Sequence, residues 1–469
     1  MQATARCTLC RMTSPHRSDT VLERHLGLGS MTALVIGEVI AVGIFLTPAG
    51  MARSLGSPFW LLVVWLVMGG MALTGALCYG ELASRYPDAG GGYVYLRRAY
   101  GPGVAFLYGW KCLLVMDPGI TAVLAVGLAT YIGYLTDLPA AGLKGVAIAA
   151  IIALAAINIT GVRLGATLIR WLTALKLGAL ALILLLAIVL QRGNWSNFIP
   201  IVAQRPGSEP LPMALAPGLV GAFFAFGGWW EIAKVAGEAR DPTRNVPKAL
   251  ALGVSTVTLV YILTSAVFLY LVPLGRVTSA ETFAAQAGEA LFGRAGGTIF
   301  AWIVVVAIVG SLLALLMALP RLYFALARDR LFFRSVGIVH PRFGTPARAI
   351  TIQAALASIL VLLGTFEQIL AYFIFVTVLF LALTVAAVFV LRRRYGPDAP
   401  FPTPGYPATL AVFLLLVVVL LLLLAANSPL QALLGVLIVA LGIPIYRGRV
   451  SRAQPRNTEQ RGGAGNTER

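Results

Sequence analysis

The chain has 469 residues, 59% of them hydrophobic and only 12% charged, with a mean hydropathy of +0.87. Those values exclude a soluble globular domain and place the chain among polytopic membrane proteins. The formal net charge of +18 does not point to nucleic acid, because Lys and Arg fall in short loops between apolar runs.

Residues 1–25 read as a cytoplasmic tail without an apolar signal region and cleavage site. Cys7 and Cys10 form a CxxC near His16, but a poorly ordered tail is the plainer reading, and no metal or other cofactor is expected. With Cys78 and Cys112 they provide no disulfide framework. Runs of about 20 apolar residues, each able to cross a bilayer, follow at about 26–52, 58–82, 104–134, 143–161, 165–190, 214–237, 249–272, 298–327, 349–364, 369–391, 407–426 and 430–446. The third and eighth exceed what a bilayer needs and are expected to tilt; the ninth is short. The prediction is an all-α polytopic membrane protein with twelve transmembrane helices, its transporter domain spanning 26–446. Residues 392–407 are basic and then Pro-rich, and read as an extended connector. Residues 447–469 read as a disordered cytoplasmic tail.

The first run contains Gly37-Glu38-Val39-Ile40-Ala41-Val42-Gly43-Ile44-Phe45. Glycine weakens a helix, and an acid near the bilayer centre costs roughly 2.5 kcal/mol or more. A break is expected here, with the freed backbone groups facing a protected cavity. The sixth run contains Phe224-Ala225-Phe226-Gly227-Gly228-Trp229-Trp230-Glu231. Its Gly pair, taken alone, marks either a second break or a close helix crossing. The two stretches fall in the first and sixth spans, an offset of five, and interrupted helices at matching places in two five-span halves mark an inverted-repeat transporter. The repeats would cover about 26–190 and 214–391, leaving two extra helices over 407–446. Half-helix ends present N–H groups to an anion and carbonyls to a cation. Facing pairs suit a zwitterion, so a small-molecule amino acid is the expected substrate.

Orientation follows from charge. Arg53, Lys144, Arg192, Arg205, Arg276 and Arg294 fall on one side of the predicted spans, and Lys111, Arg170 and Lys176 lie within them. The remaining Lys and Arg residues fall on the side of the termini, which puts both termini in the cytoplasm of a plasma (inner) membrane protein.

Gly43-Ile44-Phe45-Leu46-Thr47-Pro48 resembles the GIFxxP that follows the first break in the amino acid–polyamine–organocation superfamily. Residues 75–82 (GALCYGEL), 90–95 (GGGYVY), 174–177 (ALKL), 224–229 (FAFGGW) and 241–247 (DPTRNVP) are similar to segments of the L-type amino acid transporters. The likeness runs from about 26 to 446. It implies two inverted five-helix halves and alternating access about a central site. By match, the amides of Val42, Gly43 and Ile44, beside Ala41, would hold the substrate carboxylate. The carbonyls of Val39, Ile40, Phe224, Phe226 and Gly227, beside Gly228, would hold the ammonium. Phe226 or Phe224 would act as an aromatic gate, and Trp230 would complete an apolar pocket.

A lone lysine in mid-span is expensive and usually functional. Lys176 lies about eleven residues into its span, roughly 16 Å at 1.5 Å per residue, too deep to reach the interface with ease. In sodium-independent members of the resembled family a lysine here stands in place of a sodium ion. Its expected partners are first-helix carbonyls around Gly37 and Ile40, and Ser311. Three roles are open to Glu38: a buried ion pair with Lys176, a proton carrier, or a contact for a cationic substrate side chain. Asp117, before Pro118, either shapes the pocket or caps a Pro kink. Glu81, Glu231 and Lys111 read equally well as interfacial anchors.

The chain departs from the family in having Ala41-Val42-Gly43, with no hydroxyl, where relatives carry a small-Ser-small triplet. The loop 136–144 has no cysteine, which predicts no covalent glycoprotein partner; a monomer is a separate expectation. The expected function is a sodium-independent exchanger of neutral amino acids. The alternatives are a basic amino acid or polyamine antiporter, a proton-coupled symporter and, less favoured, a sensor that binds without transport. No enzyme is expected, since the spans hold no cluster of catalytic or metal-ligating side chains.

Overall fold

A computed structural model describes residues 24, 26–40, 42–87, 90–136, 138–160, 166–277, 282–328, 332–333 and 335–453. The apolar runs fold as helices: α1 (Leu28–Val39), α2 (Gly43–Leu55), α3 (Pro58–Arg85), α4 (Gly92–Tyr100), α5 (Pro102–Lys111), α6 (Asp117–Leu135), α7 (Ala140–Ile159) and α8 (Ala166–Leu190). They continue with α9 (Leu211–Phe226), α10 (Pro242–Leu271), α11 (Phe283–Ala318), α12 (Pro320–Arg328), α13 (Ala347–Leu363), α14 (Phe366–Tyr395), α15 (Ala408–Asn427) and α16 (Pro429–Ala453). Among the described residues nine helices are long and apolar enough to cross a membrane, ten if the bent pair α1–α2 counts as one span. The fifth and ninth expected spans correspond to shorter apolar stretches, Ala174–Leu190 and Ala347–Leu363. Cys7 and Cys10 of the tail lie outside the described residues.

Local chemistry sets several boundaries. Ser57 caps α3 by accepting from the Trp60 N–H, with Pro58 in the first turn. Thr365 and Gln368 form a reciprocal capping box at the start of α14. Gly56, at φ +60°, ends α2 in the left-handed conformation that glycine adopts freely. Two long runs differ from the expected tilted rods. The third is interrupted by a π turn, Cys112–Met116, between α5 and α6. The eighth is broken before Pro320, which lacks the N–H that would continue α11, and α11 is also kinked at Phe292–Gly293, ahead of that run.

Small residues set the close crossings, as expected where lipid gives helices no hydrophobic drive to associate. A Cβ on Gly69 of α3 would lie 2.4 Å from Thr258 of α10. Trp65, Tyr131, Tyr261 and Phe268 are buried in the bundle, whereas Leu185, Ile188, Leu422 and Leu433 are exposed on its outside, as a lipid-facing surface requires.

Candidate functional site

Both expected breaks are present. α1 ends at Val39, α2 starts at Gly43, and their axes differ by 47°. Ala41 lies outside the described residues. No side chain caps α2, so the Gly43 and Ile44 amides stand at its first turn with no partner inside the helix. α9 ends at Phe226, Gly227 is extended, and Gly228 takes φ +108°. That left-handed step requires glycine. The chain then tightens into a 3-10 segment, Trp229–Glu238.

The two breaks face each other at one depth. A Cβ on Gly43 would lie 2.4 Å from the Ala225 Cα, and one on Gly228 would lie 3.3 Å from the Glu38 carbonyl oxygen. Away from the breaks α2 runs antiparallel to α9, with Gly221 against Met51 and Gly218 against Leu55. α1 runs antiparallel to the 3-10 segment. Its approach is fixed by the Leu26 N–H donating to the Glu238 carbonyl at 3.0 Å and the Arg240 N–H donating to the Leu26 carbonyl at 2.8 Å.

Tyr261 of α10 joins the breaks. Its hydroxyl lies 2.8 Å from the Val39 carbonyl and 2.8 Å from the Ala225 carbonyl. These carbonyls lie in the last turns of α1 and α9, which lack onward helical partners. Tyr131 of α6 likewise donates to the Phe45 carbonyl at 2.9 Å. Neither tyrosine is singled out by a sequence motif. The available signal is a phenol in mid-span, because a buried hydroxyl needs a partner.

The two candidate gates separate. Phe226 is buried against Trp65 and Tyr261, with ring centroids 6.0 and 5.2 Å away. Phe224 is half-buried and meets Phe366 and Phe373 of α14 edge-on at 6.5 and 6.2 Å. Trp230 stacks on Phe223 and faces a small void shared with α3, α14 and α15. Ile40, Val42 and Ile44 are buried at the first break.

Glu38 is exposed on the surface of α1, with Glu231, Lys176 and Lys234 as its charged neighbours. Lys176 is 7% exposed, and it lies beyond the 4.0 Å of an ion pair with Glu38. Among the described residues its ammonium has no hydrogen bond to Gly37, Ile40 or Ser311. The nearer ion pair joins Lys234 to Glu231 within the 3-10 segment. Asp117 is buried at the head of α6, where one carboxylate oxygen accepts from the Tyr323 hydroxyl of α12 and the other has no partner among the described residues. It does not accept from its own helix as an N-terminal cap. Lys111 is buried, and its ammonium lies 4.8 Å from the Tyr108 ring centroid. Glu81 is no interfacial anchor. It is fully buried, and it accepts from Arg392 Nε at 2.8 Å, Arg85 Nε at 3.2 Å, and the Thr403 N–H and hydroxyl at 2.8 and 2.7 Å.

A sequence model of the Amino acid permease family matches residues 26–444. The chain belongs to that family. The permease is 29% identical to the Serine/threonine exchanger SteT of Bacillus subtilis (strain 168), over 93% of this chain and 99% of that protein. It is 29% identical to the human Large neutral amino acids transporter small subunit 2, over 91% of this chain and 80% of that one. It is 30% identical to the rabbit (Oryctolagus cuniculus) b(0,+)-type amino acid transporter 1, over 81% and 78% respectively. The likeness to the L-type transporters seen in the motifs therefore extends over nearly the whole permease. It is a multi-pass membrane transporter for amino acids, not an enzyme.

Proposed function

We propose that the permease is a sodium-independent exchanger of neutral amino acids working by alternating access. The observation that carries this is the facing of the uncapped α2 N-terminus and the α9 C-terminus across one crossing. The Val42, Gly43 and Ile44 amides would receive the carboxylate. The carbonyls of Val39, Ile40, Phe224, Phe226 and Gly227 would receive the ammonium, helped by the opposite dipole ends of the two half-helices. The aromatic contact of Phe224 with Phe366 supports Phe224 rather than Phe226 as the gate. Apolar groups at the site, Val42 and Phe224 among them, support a small or apolar substrate side chain. The buried ammonium of Lys176 supports a positive charge carried by the protein instead of by sodium.

The same reading takes 26–190 and 214–391 as inverted repeats, with α15 and α16 outside them. It places both termini on the cytoplasmic face of a plasma membrane, and the permease as a monomer without a covalent glycoprotein partner. One observation favours a second reading. Glu38 is exposed beside the site and, among the described residues, unpaired, which suits a basic amino acid, a polyamine or a proton.

Purified permease in sodium-free liposomes, loaded with a panel of unlabelled amino acids, separates these readings. Exchange predicts uptake stimulated at least fivefold by internal neutral amino acids. Stimulation by arginine or a polyamine alone supports the second reading, as does accumulation driven by a pH gradient alone. Binding without flux would overturn transport.

A further inference from the structure

Above the breaks, on the face opposite Leu26, a cavity of about 280 Å³ opens between α2, the α8–α9 loop, α9 and α14. That is just below the ~300–1,000 Å³ of pockets that take drug-sized ligands. Its floor and walls include Leu46, Met51 and Phe366, and its rim carries Arg53, Glu209 and Glu367. The floor adjoins the central site, since Thr47 donates to the Gly43 carbonyl at 3.1 Å and Phe366 meets the Phe224 ring.

Arg53 sits in the last turn of α2 and Glu367 in the first turn of α14, where helix dipoles favour those signs. Glu209 sits on the loop, one residue before the Pro210 cap of α9, where a helix dipole likewise favours an acid. The loop is tied down: Gln204 donates to the Leu55 and Glu209 carbonyls, each at 3.0 Å, and the Arg205 N–H donates to the Gly56 carbonyl at 3.0 Å. Ser57 donates to the Ile201 carbonyl at 3.0 Å. Glu209 is thus held at the rim. Among the described residues the three rim side chains make no ion pair or hydrogen bond, so their charges are available to a solute.

We infer that this cavity is a second docking site for a zwitterionic α-amino acid. The carboxylate meets Arg53, the ammonium meets Glu209 and Glu367, and the side chain rests on the apolar floor. Occupancy there places an amino acid one level above the Phe224–Phe366 contact before the central site receives it. The inference rests on the permease handling amino acids.

The test uses full-length permease carrying Ser54→Cys at the cavity wall, with Cys7→Ser and Cys10→Ser, and a membrane-impermeant thiol reagent. L-Serine, L-alanine and L-leucine at 10 mM are expected to slow modification at least threefold, and their N-acetyl amides to have no effect. Adding Arg53→Ala, an exposed position that leaves folding intact, is expected to abolish the protection. Absence of protection, or protection that survives Arg53→Ala, would overturn the site. The second readout is sided exchange in liposomes. Glu209→Gln and Glu367→Gln together should raise KM about tenfold for substrate presented on the cavity face and leave KM on the other face in place; equal shifts on both faces contradict a docking role. If no amino acid exchanges at all, the proposed function fails while thiol protection still decides the docking site.

Discussion

Gly43 is fixed by what lies across the crossing. An added methyl would sit 2.4 Å from the Ala225 Cα, and because the obstacle is backbone the two half-helices must separate. Overpacking of this kind typically costs about 1–3 kcal/mol. Gly43→Ala is therefore expected to lower exchange at least tenfold and reduce thermal stability in detergent. Gly29, in α1 with nothing within 4 Å of an added methyl, supplies the control: Gly29→Ala should keep full exchange. Tyr261→Phe leaves the Val39 and Ala225 carbonyls without their hydroxyl, and an unsatisfied buried group costs about 1–3 kcal/mol. The expected outcome is a rise in KM of roughly tenfold with the protein still folded; an unchanged KM would show that the hydroxyl does not set the spacing of the breaks. Glu38, exposed and unpaired among the described residues, predicts that Glu38→Gln folds as well as the parent. A flat pH profile of exchange in parent and variant alike would remove its proton role.

Both breaks are legible in the sequence: the first from two glycines around an acid within the span, the second from a Gly pair that alone could equally mark a close crossing. So is their pairing, from their places in the first and sixth spans, five apart in order. Less legible is what crosses from other helices to hold them. Tyr261 lies some two hundred residues beyond Val39, and only the fold puts its hydroxyl on that carbonyl. Pro320 shows the opposite case: the residue that ends α11 is visible, but hydropathy runs through it and hides the break. Glu81 misleads because an acid at a span end suits the interface equally well. Its partners Arg392 and Thr403 come from the far end of α14 and from the Pro-rich connector, so α3, α14 and that connector share one joint. Arg392 also stacks over the Tyr406 ring at 4.0 Å. Removing one partner of a buried pair costs about 3–5 kcal/mol, and the remaining Arg85 places Arg392→Ala near the lower end of that range. A fall in melting temperature without a change in KM is expected. A change in KM with unaltered stability would instead mean that the joint acts on the site.

The antiparallel pairing of α2 with α9, and of α1 with the 3-10 segment, gives the permease two half-helix pairs that meet at one level. Under the proposed alternating access, each pair would tilt about the crossing at Gly43 and Ala225 while the N–H and carbonyl ends stay together. The cavity with Arg53 lies over one pair, and the Leu26–Ala239 contact closes the other. The most direct test is the structure of the permease in lipid nanodiscs, determined with the amino acid that exchanges fastest in the liposome panel. The expected density lies between the two breaks, with the carboxylate about 3 Å from the Gly43 and Ile44 amides and the ammonium at the carbonyls ending α1 and α9. Substrate bound elsewhere, or reversed with its ammonium at the α2 N-terminus, would contradict the central claim.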